Sequence, residues 1–416
     1  MRVAVFTNAY KPYVSGVIKS VATFRAELLR QGHTVYVFAP EAADYQEEDY
    51  DVFRYPGINL TVPAKYPIPI PVSPCIDWLV PRLRFDVIHS QHPMLLGQEA
   101  IGFSRKHNIP HVFTHHSQYD IYAAQYIPFS ESVVKRVMRE LVKYHMMQTQ
   151  RIIAPTESVY RQLVQNYEEV ADRVVTLPTP MDLSAFEGLK PGPIKARYNL
   201  DRGFTFAYVG RLTAEKNLSM LLTCFARAAK DRPGANLLLV GDGPQRKDLE
   251  KQVRRLGIES RVHFSGQVGY DQVPHYLAAS DAFAFASVSE TQGLVMIEAM
   301  AAGLPVVAVD APGNRDVVIH EENGLLTAVD EDAFTQALQR LMQEADLRER
   351  LARGALRTAA RYDAPAVVER LLQIYHEARE AFAKNPPKGL LDQLTEQARQ
   401  FPPKWLSEVT DVFDSD

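Results

Sequence analysis

Phe204-Thr-Phe-Ala-Tyr-Val-Gly-Arg-Leu-Thr-Ala-Glu-Lys216 is the stretch that decides how this chain folds. Its first half is a short apolar and aromatic run bounded by glycine, which reads as a strand buried on both faces. Its second half leaves that strand through Gly210 and places Arg211 and Lys216 in one loop. The chain opens in the same way. Arg2-Val-Ala-Val-Phe-Thr7 reads as a buried strand, Asn8-Ala-Tyr-Lys-Pro-Tyr-Val-Ser-Gly16 follows, and a helix starts near Gly16. A pattern that begins at residue 2 therefore restarts at residue 204.

Working outward, buried strands are predicted at 3–7, 34–39, 86–90, 111–114 and 151–154. A second set is predicted at 204–210, 235–240, 261–264, 281–286 and 305–309. Helical segments alternate with them, so the fold class is α/β, with two doubly wound, Rossmann-like parallel sheets. Pro178-Thr-Pro-Met-Asp182 and the Gly/Pro-rich stretch from Gly188 to Pro193 lie between the sets and have linker composition. The expected domains are 1–185, 186–364 and a tail at 385–416, with a helix at 365–384 returning to the first domain. One helical segment is expected from about Asp332 to Tyr362.

Composition excludes several classes. The 416 residues are 46% hydrophobic and 23% charged, the balance of an ordinary globular protein. A net charge of −4 gives no nucleic-acid signal. Cys75 and Cys224 fall in different halves, form no disulfide or zinc pattern, and read as small buried apolar groups. The N-terminus runs straight into a strand, and no apolar run approaches the roughly 20 residues that span a bilayer. A cytoplasmic protein is expected.

Four features carry chemistry. The Gly16 turn lets backbone approach a diphosphate closely, and it lacks the G-x-G-x-x-G of a nicotinamide enzyme. Arg211 and Lys216 emerge at a strand's C-terminal end, where they either grip phosphate oxygens or form a surface charge pair with Glu215. Ser289-Glu-Thr-Gln-Gly-Leu-Val-Met-Ile-Glu298 sets two glutamates eight positions apart around a glycine turn at a helix start. Amides at a helix N-terminus attract phosphate, and the flanking carboxylates suit sugar hydroxyls and a ribose diol. The bland alternative is a helix with an acidic cap. Lastly, Thr114-His-His-Ser-Gln-Tyr119, followed by Tyr122 and Tyr126, offers a polar wall for sugar hydroxyls; no third ligand at metal spacing follows. His115 is expected to be a satisfied core residue.

Together these residues resemble the retaining GT-B glycosyltransferases of family four across residues 1–384. The resemblance rests on the glycine loop near Gly16, Gly210-Arg-Leu212 with Lys216, Gly241-Asp-Gly-Pro244, and Glu290/Glu298 followed by Ala299-Met-Ala-Ala-Gly303. It implies that Arg211 and Lys216 hold the donor diphosphate, Glu290 touches the donor sugar, and Glu298 binds the ribose diol. It also places the amides of Gly293, Leu294 and Val295 on phosphate, backbone near Val268 on the base, and His116 on the transferred sugar. It implies a nucleotide-sugar donor and no metal or other cofactor. Two positions depart from the family pattern: Ser15-Gly16 replaces Gly-Gly, and Gln292 replaces an aromatic residue.

The Thr-x-His-Ser/Thr-x-Tyr segment looks like that of bacterial diacylglycerol glucosyltransferases. That likeness implies transfer of glucose from UDP-glucose to diacylglycerol with retention, at the inner face of the membrane. The alternatives are a family-four enzyme acting on a soluble or polysaccharide acceptor, and a GT-B sugar-nucleotide epimerase. For the lipid acceptor, residues 130–148 provide a partner surface. At 100° per residue, Lys135, Arg136, Arg139 and Lys143 fall within an arc of about 100°, and six apolar residues from Val133 to Val142 fill the remaining half-circle. Such a helix either lies on an anionic membrane or packs conventionally with a solvated cationic face. The proline-rich segment 60–81 is expected to be extended, lining an acceptor entrance, dipping into lipid or crossing the surface.

Overall fold

The structure, a computed structural model, describes residues 1–384 except 14, 43–44, 59–66, 117–130, 202 and 291. The strands are β1 (Arg2–Phe6), β2 (Thr34–Pro40), β3 (Val52–Tyr55), β4 (Gly57–Ile58), β5 (Ile68–Pro69), β6 (Val87–Ser90), β7 (His111–Thr114), β8 (Arg151–Ala154) and β9 (Val174–Thr176). Then follow β10 (Thr205–Val209), β11 (Asn236–Val240), β12 (Val262–Gly266), β13 (Ala282–Phe285), β14 (Val306–Val309) and β15 (Gly324–Thr327). One parallel sheet has the order β3-β2-β1-β6-β7-β8-β9, and the other the order β12-β11-β10-β13-β14-β15. β4 and β5 form a small antiparallel pair. The predicted α/β class with two doubly wound parallel sheets is the architecture found.

Side-chain alternation explains why these strands are apolar on both faces. In β1, Val3 and Val5 join a core with Val367, Val368, Leu371, Ile374 and Tyr375 of the Ala364–Lys384 helix. Ala4 and Phe6 point the other way, into a core with Phe38 and Phe103. There Phe6 stacks on Phe38 with ring centroids 4.5 Å apart, and Phe38 stacks on Phe53 at 5.2 Å. β11 divides likewise, with Leu237 and Leu239 in the main core of the second sheet and Leu238 and Val240 against Tyr276. Each fully buried side chain of this size is worth roughly 1.5–3 kcal/mol in removed apolar surface.

The chain passes between the two sheets at two adjoining points. Met181 N–H donates to Tyr362 O at 2.7 Å, and Ala364 N–H donates to Met181 O at 2.9 Å. Beyond Asp363 the final helix lies on the first sheet beside the Gly16–Arg30 helix. Both sheets reverse strand order next to their first strand, between β1 and β6 and between β10 and β13. Ligands bind open α/β sheets at the carboxyl ends of such strands.

The structure corrects several expectations. Residues 332–362 form two helices, Glu331–Gln343 and Ala345–Ala359, separated at Glu344, whose backbone is extended. Part of the proline-rich segment is the Pro74–Leu83 helix, with Pro74 in the first turn and Ser73 Oγ accepting from Ile76 N–H. Proline is tolerated there because the first-turn N–H groups have no intrahelical partner. Cys75 is exposed, whereas Cys224 is buried. The expected single apolar face of the basic helix divides in two. In Glu131–Met147, Val134, Met138 and Val142 are buried, while Val133, Val137 and Leu141 are 55%, 52% and 38% exposed. Residues 59–66, Ser117, Tyr119, Tyr122, Tyr126 and the tail from 385 lie outside the described residues.

Candidate active site

The loops leaving β10 and β13, the central pair of the second sheet, carry the candidate charges. Tyr208 is fully buried, and its hydroxyl donates to Arg211 O at 3.0 Å, fixing the turn after β10. Gly241 meets that turn so closely that a Cβ on it would lie 2.0 Å from Gly210 O. Arg211 projects outward and is exposed. Lys216 Nζ donates to Glu290 Oε1 at 2.5 Å, and Ser287 Oγ donates to the same oxygen at 2.8 Å. This pair is mostly buried, the side chains being 19% and 15% exposed. Lys216 therefore pairs with Glu290, while Glu215 takes the Thr213 hydroxyl at 2.7 Å.

Gly293 caps the Leu294–Ala301 helix at φ +65°, a left-handed conformation that a side chain resists. A Cβ there would also fall 2.3 Å from Met296 Cε. Asn314 holds this turn from below; its amide donates to Ser287 O at 2.8 Å and Val309 O at 2.9 Å. Among the described residues, no carbonyl one turn back accepts from the first amides of the helix, those of Leu294 and Val295. The Gly16–Arg30 helix begins opposite them, capped by Ser15 Oγ, which accepts from Ile18 N–H. A Cβ built on Gly16 would sit 3.9 Å from Leu294 Cδ1. Two helix N-termini from different sheets thus meet across the cleft, and both present partial positive charge to an anion.

Glu298 lies one turn into the Leu294–Ala301 helix and is buried. Its Oε1 accepts from Tyr270 Oη at 2.6 Å and from Lys19 Nζ, which reaches over from the first sheet's helix. Val268, just beyond β12, packs against the core of the second sheet with its neighbour Tyr270 at the surface. Two further contacts join the halves. Thr179 N–H donates to Gln292 Oε1 at 3.2 Å, and Ser158 donates to Asp316 Oδ1 through its N–H at 2.9 Å and its hydroxyl at 3.0 Å.

His116 extends from β7 at the facing edge of the first sheet and is buried, with Nε2 2.7 Å from Gln91 Oε1. Burial, aided by the nearby His92, His89 and His115, holds it well below the usual histidine range. It is therefore a neutral ring at physiological pH. Behind it lies a buried polar array. His89 bridges Tyr375 Oη at 2.8 Å and Thr114 Oγ1 at 2.7 Å; Ser90 Oγ lies 2.8 Å from both His111 Nε2 and His145 Nε2. The backbone N–H of Asn8 donates to His92 Nδ1 at 3.1 Å.

The structure thus pairs Lys216 with Glu290, sets Glu298 in the helix that Gly293 caps, and brings Gly16 against Leu294, while Arg211 lies exposed in the loop that carries Lys216. Val268 stands beside Tyr270 on that same half, and His116 belongs to the opposite sheet. Sequence reasoning missed Lys19, Tyr270, Ser287 and Asn314. Asn314 follows Gly313 after a strand, a weak turn signal; Lys19 and Tyr270 carry no distinguishing spacing. Among the described residues, no group of three or more His, Cys, Asp or Glu is arranged to hold a metal ion.

Two Rossmann-like sheets, each with its switch point beside its first strand, make the GT-B architecture. The fold matches that of Anabaena Alr3699/HepE, solved in complex with UDP, at a TM-score of 0.71 and 20% identity over 90% of this chain and 99% of that one. Residues 14–185 match the model "Glycosyltransferase Family 4", and residues 194–358 match "Glycosyl transferases group 1". The chain is 30% identical to alpha-monoglucosyldiacylglycerol synthase of Streptococcus pneumoniae, over 84% of this chain and 80% of that protein. It is 28% identical to GDP-mannose-dependent alpha-mannosyltransferase of Mycobacterium tuberculosis, over 91% and 97% respectively. The chain belongs to glycosyltransferase family 4.

Proposed function

We propose that this enzyme transfers glucose from UDP-glucose to diacylglycerol, with retention, at a cytoplasmic membrane face. The observation that carries the lipid acceptor is the surface of the Glu131–Met147 helix. Val133, Val137 and Leu141 form an exposed apolar stripe at i, i+4, i+8 spacing, beside exposed Arg136 and Arg139. A helix with this face enters the interface with its apolar stripe among the acyl chains and its cations at anionic headgroups. Each cation contributes about 1 kcal/mol near such a surface. Among the described residues no helix is long and apolar enough to cross a membrane. The likeness to the pneumococcal synthase supports the same acceptor and sugar.

At the donor end, Arg211, Lys216 and the amides of Gly293, Leu294 and Val295 receive the diphosphate. Glu298 takes the ribose diol, backbone at Val268 meets the base, Glu290 accepts from sugar hydroxyls, and His116 lines the sugar from the other side. Gly16 leaves room for the phosphates between the two helix ends. Lys216 and Ser287 already engage one oxygen of Glu290. That favours its role as an oriented hydroxyl acceptor over that of a nucleophile. In the transfer, the bond from the anomeric carbon to the diphosphate oxygen breaks. A bond to the acceptor oxygen forms on the same face, and the acceptor proton passes to the departing diphosphate. The charge that develops there is stabilised by cations and amides fixed in advance.

Transfer of label from UDP-glucose into vesicle lipid tests the reading. The wild-type protein should label diacylglycerol in anionic vesicles. The Val133→Asp/Val137→Asp variant should lose tenfold or more of that rate and of vesicle flotation, since burying each valine contributes roughly 1 kcal/mol. Its KM for UDP-glucose should stay unchanged. Equal rates and flotation for both proteins would remove the helix from the account.

A further inference from the structure

At Glu298 an ion pair joins the two halves of the molecule. Its side chain is 6% exposed, and Oε1 accepts both from Lys19 Nζ and from Tyr270 Oη. The Lys19 ammonium also sits 4.3 Å from the centroid of the Tyr270 ring, a cation–π arrangement. Lysine, tyrosine and carboxylate therefore form a closed triangle in which each member restrains the other two. Lys19 belongs to the Gly16–Arg30 helix of the first sheet, whereas Tyr270 and Glu298 belong to the second.

We infer that Lys19 is a positioning residue that sets Glu298 for donor binding and ties donor affinity to closure of the cleft. The inference rests on the reading that Glu298 receives the donor's ribose diol. Lys19 and Tyr270 occupy Oε1, which fixes the carboxylate plane and leaves Oε2 without a hydrogen bond among the described residues. A carboxylate held in one orientation accepts hydroxyl donors more strongly than one free to rotate, because the ordering cost precedes binding. Since Lys19 comes from the opposite half, the arrangement is complete only when the halves are together. Donor affinity and domain closure are then two readings of one equilibrium.

The test is calorimetric titration with UDP-glucose of the wild type, Lys19→Met, Lys19→Arg, Glu298→Ala and the Lys19→Met/Glu298→Ala double variant, with initial rates alongside. Lys19→Met should raise Kd by about tenfold, the scale of one charge-assisted hydrogen bond, and the loss of kcat/KM should reside in KM. Lys19→Arg should restore most of the affinity. Lys19→Met should cost nothing further once Glu298 is alanine. An unchanged or tighter Kd in Lys19→Met, with Glu298→Ala still weakened, would overturn the role of Lys19 alone. A Glu298→Ala variant that binds donor normally would overturn both this inference and the ribose assignment beneath it.

Discussion

Replacing Lys216 by alanine should lower kcat by about 10²–10³-fold, the usual loss when one fixed stabiliser of developing charge is removed. The donor KM should move far less. The reason lies in the pairing with Glu290. Lys216 is held on Glu290 Oε1, and on the proposed donor placement its charge faces the diphosphate when the sugar leaves. In the alanine variant Glu290 keeps only the Ser287 hydroxyl on Oε1 and loses its cation. A mostly buried, unpaired carboxylate then raises the energy of the departing diphosphate further. Steady-state kinetics over a range of donor concentrations separate the effects. A kcat within a few-fold of wild type would show that Lys216 only shapes the loop.

The second large effect is acid sensitivity of the seven-stranded half. Burial depresses His89 to about 3, His92 to about 4 and His145 to about 3, with His92 adding to the shift of His145. An unfolded histidine titrates near 6.5. The unfolded chain therefore binds more protons between pH 6.5 and about pH 4, and stability falls with pH across that window. It is fully present above pH 6.5. At pH 5.5 each histidine costs about 1.4 kcal/mol, about 4 kcal/mol for the three. That is a large part of the 5–15 kcal/mol typical of a folded domain. Calorimetric scans at pH 7.5 and 5.5 should show the melting transition of this half falling sharply. The second half, where only His263 is clearly depressed, should shift much less. Transitions that stay together and do not move would contradict the neutral buried array.

The fold was legible because both sheets are buried on two faces, so their strands are uninterrupted apolar runs. What escaped notice lies at the edges or depends on distant partners. β3, β9 and β15 border the sheets and are short, and β15 starts at the glycine of Asn323-Gly324, which reads as a turn. Gln343-Glu344-Ala345 consists of good helix formers, yet the helix breaks there. Arg340 bonds Glu344 and Arg348 bonds Leu341 O, contacts local enough to hold the corner but invisible to periodicity. The proposed donor rim was readable because strand ends carry it and its residues cluster in sequence. Lys19 was not, because its partner lies 279 positions away. The basic helix was half legible: 100° periodicity put six apolar residues on one side, but only packing against Phe113, Ile152 and Leu163 decided which three face inward.

The identity of the acceptor that receives the sugar is the most direct test of the proposed activity. Purified enzyme would be incubated with a panel of radiolabelled nucleotide sugars and extracted membrane lipids, and the products separated and their anomeric configuration assigned. The predicted result is one lipid product, an α-glucosyl-diacylglycerol formed from UDP-glucose. Label appearing only in a soluble acceptor, or donor consumed to an epimer with no acceptor present, would contradict it.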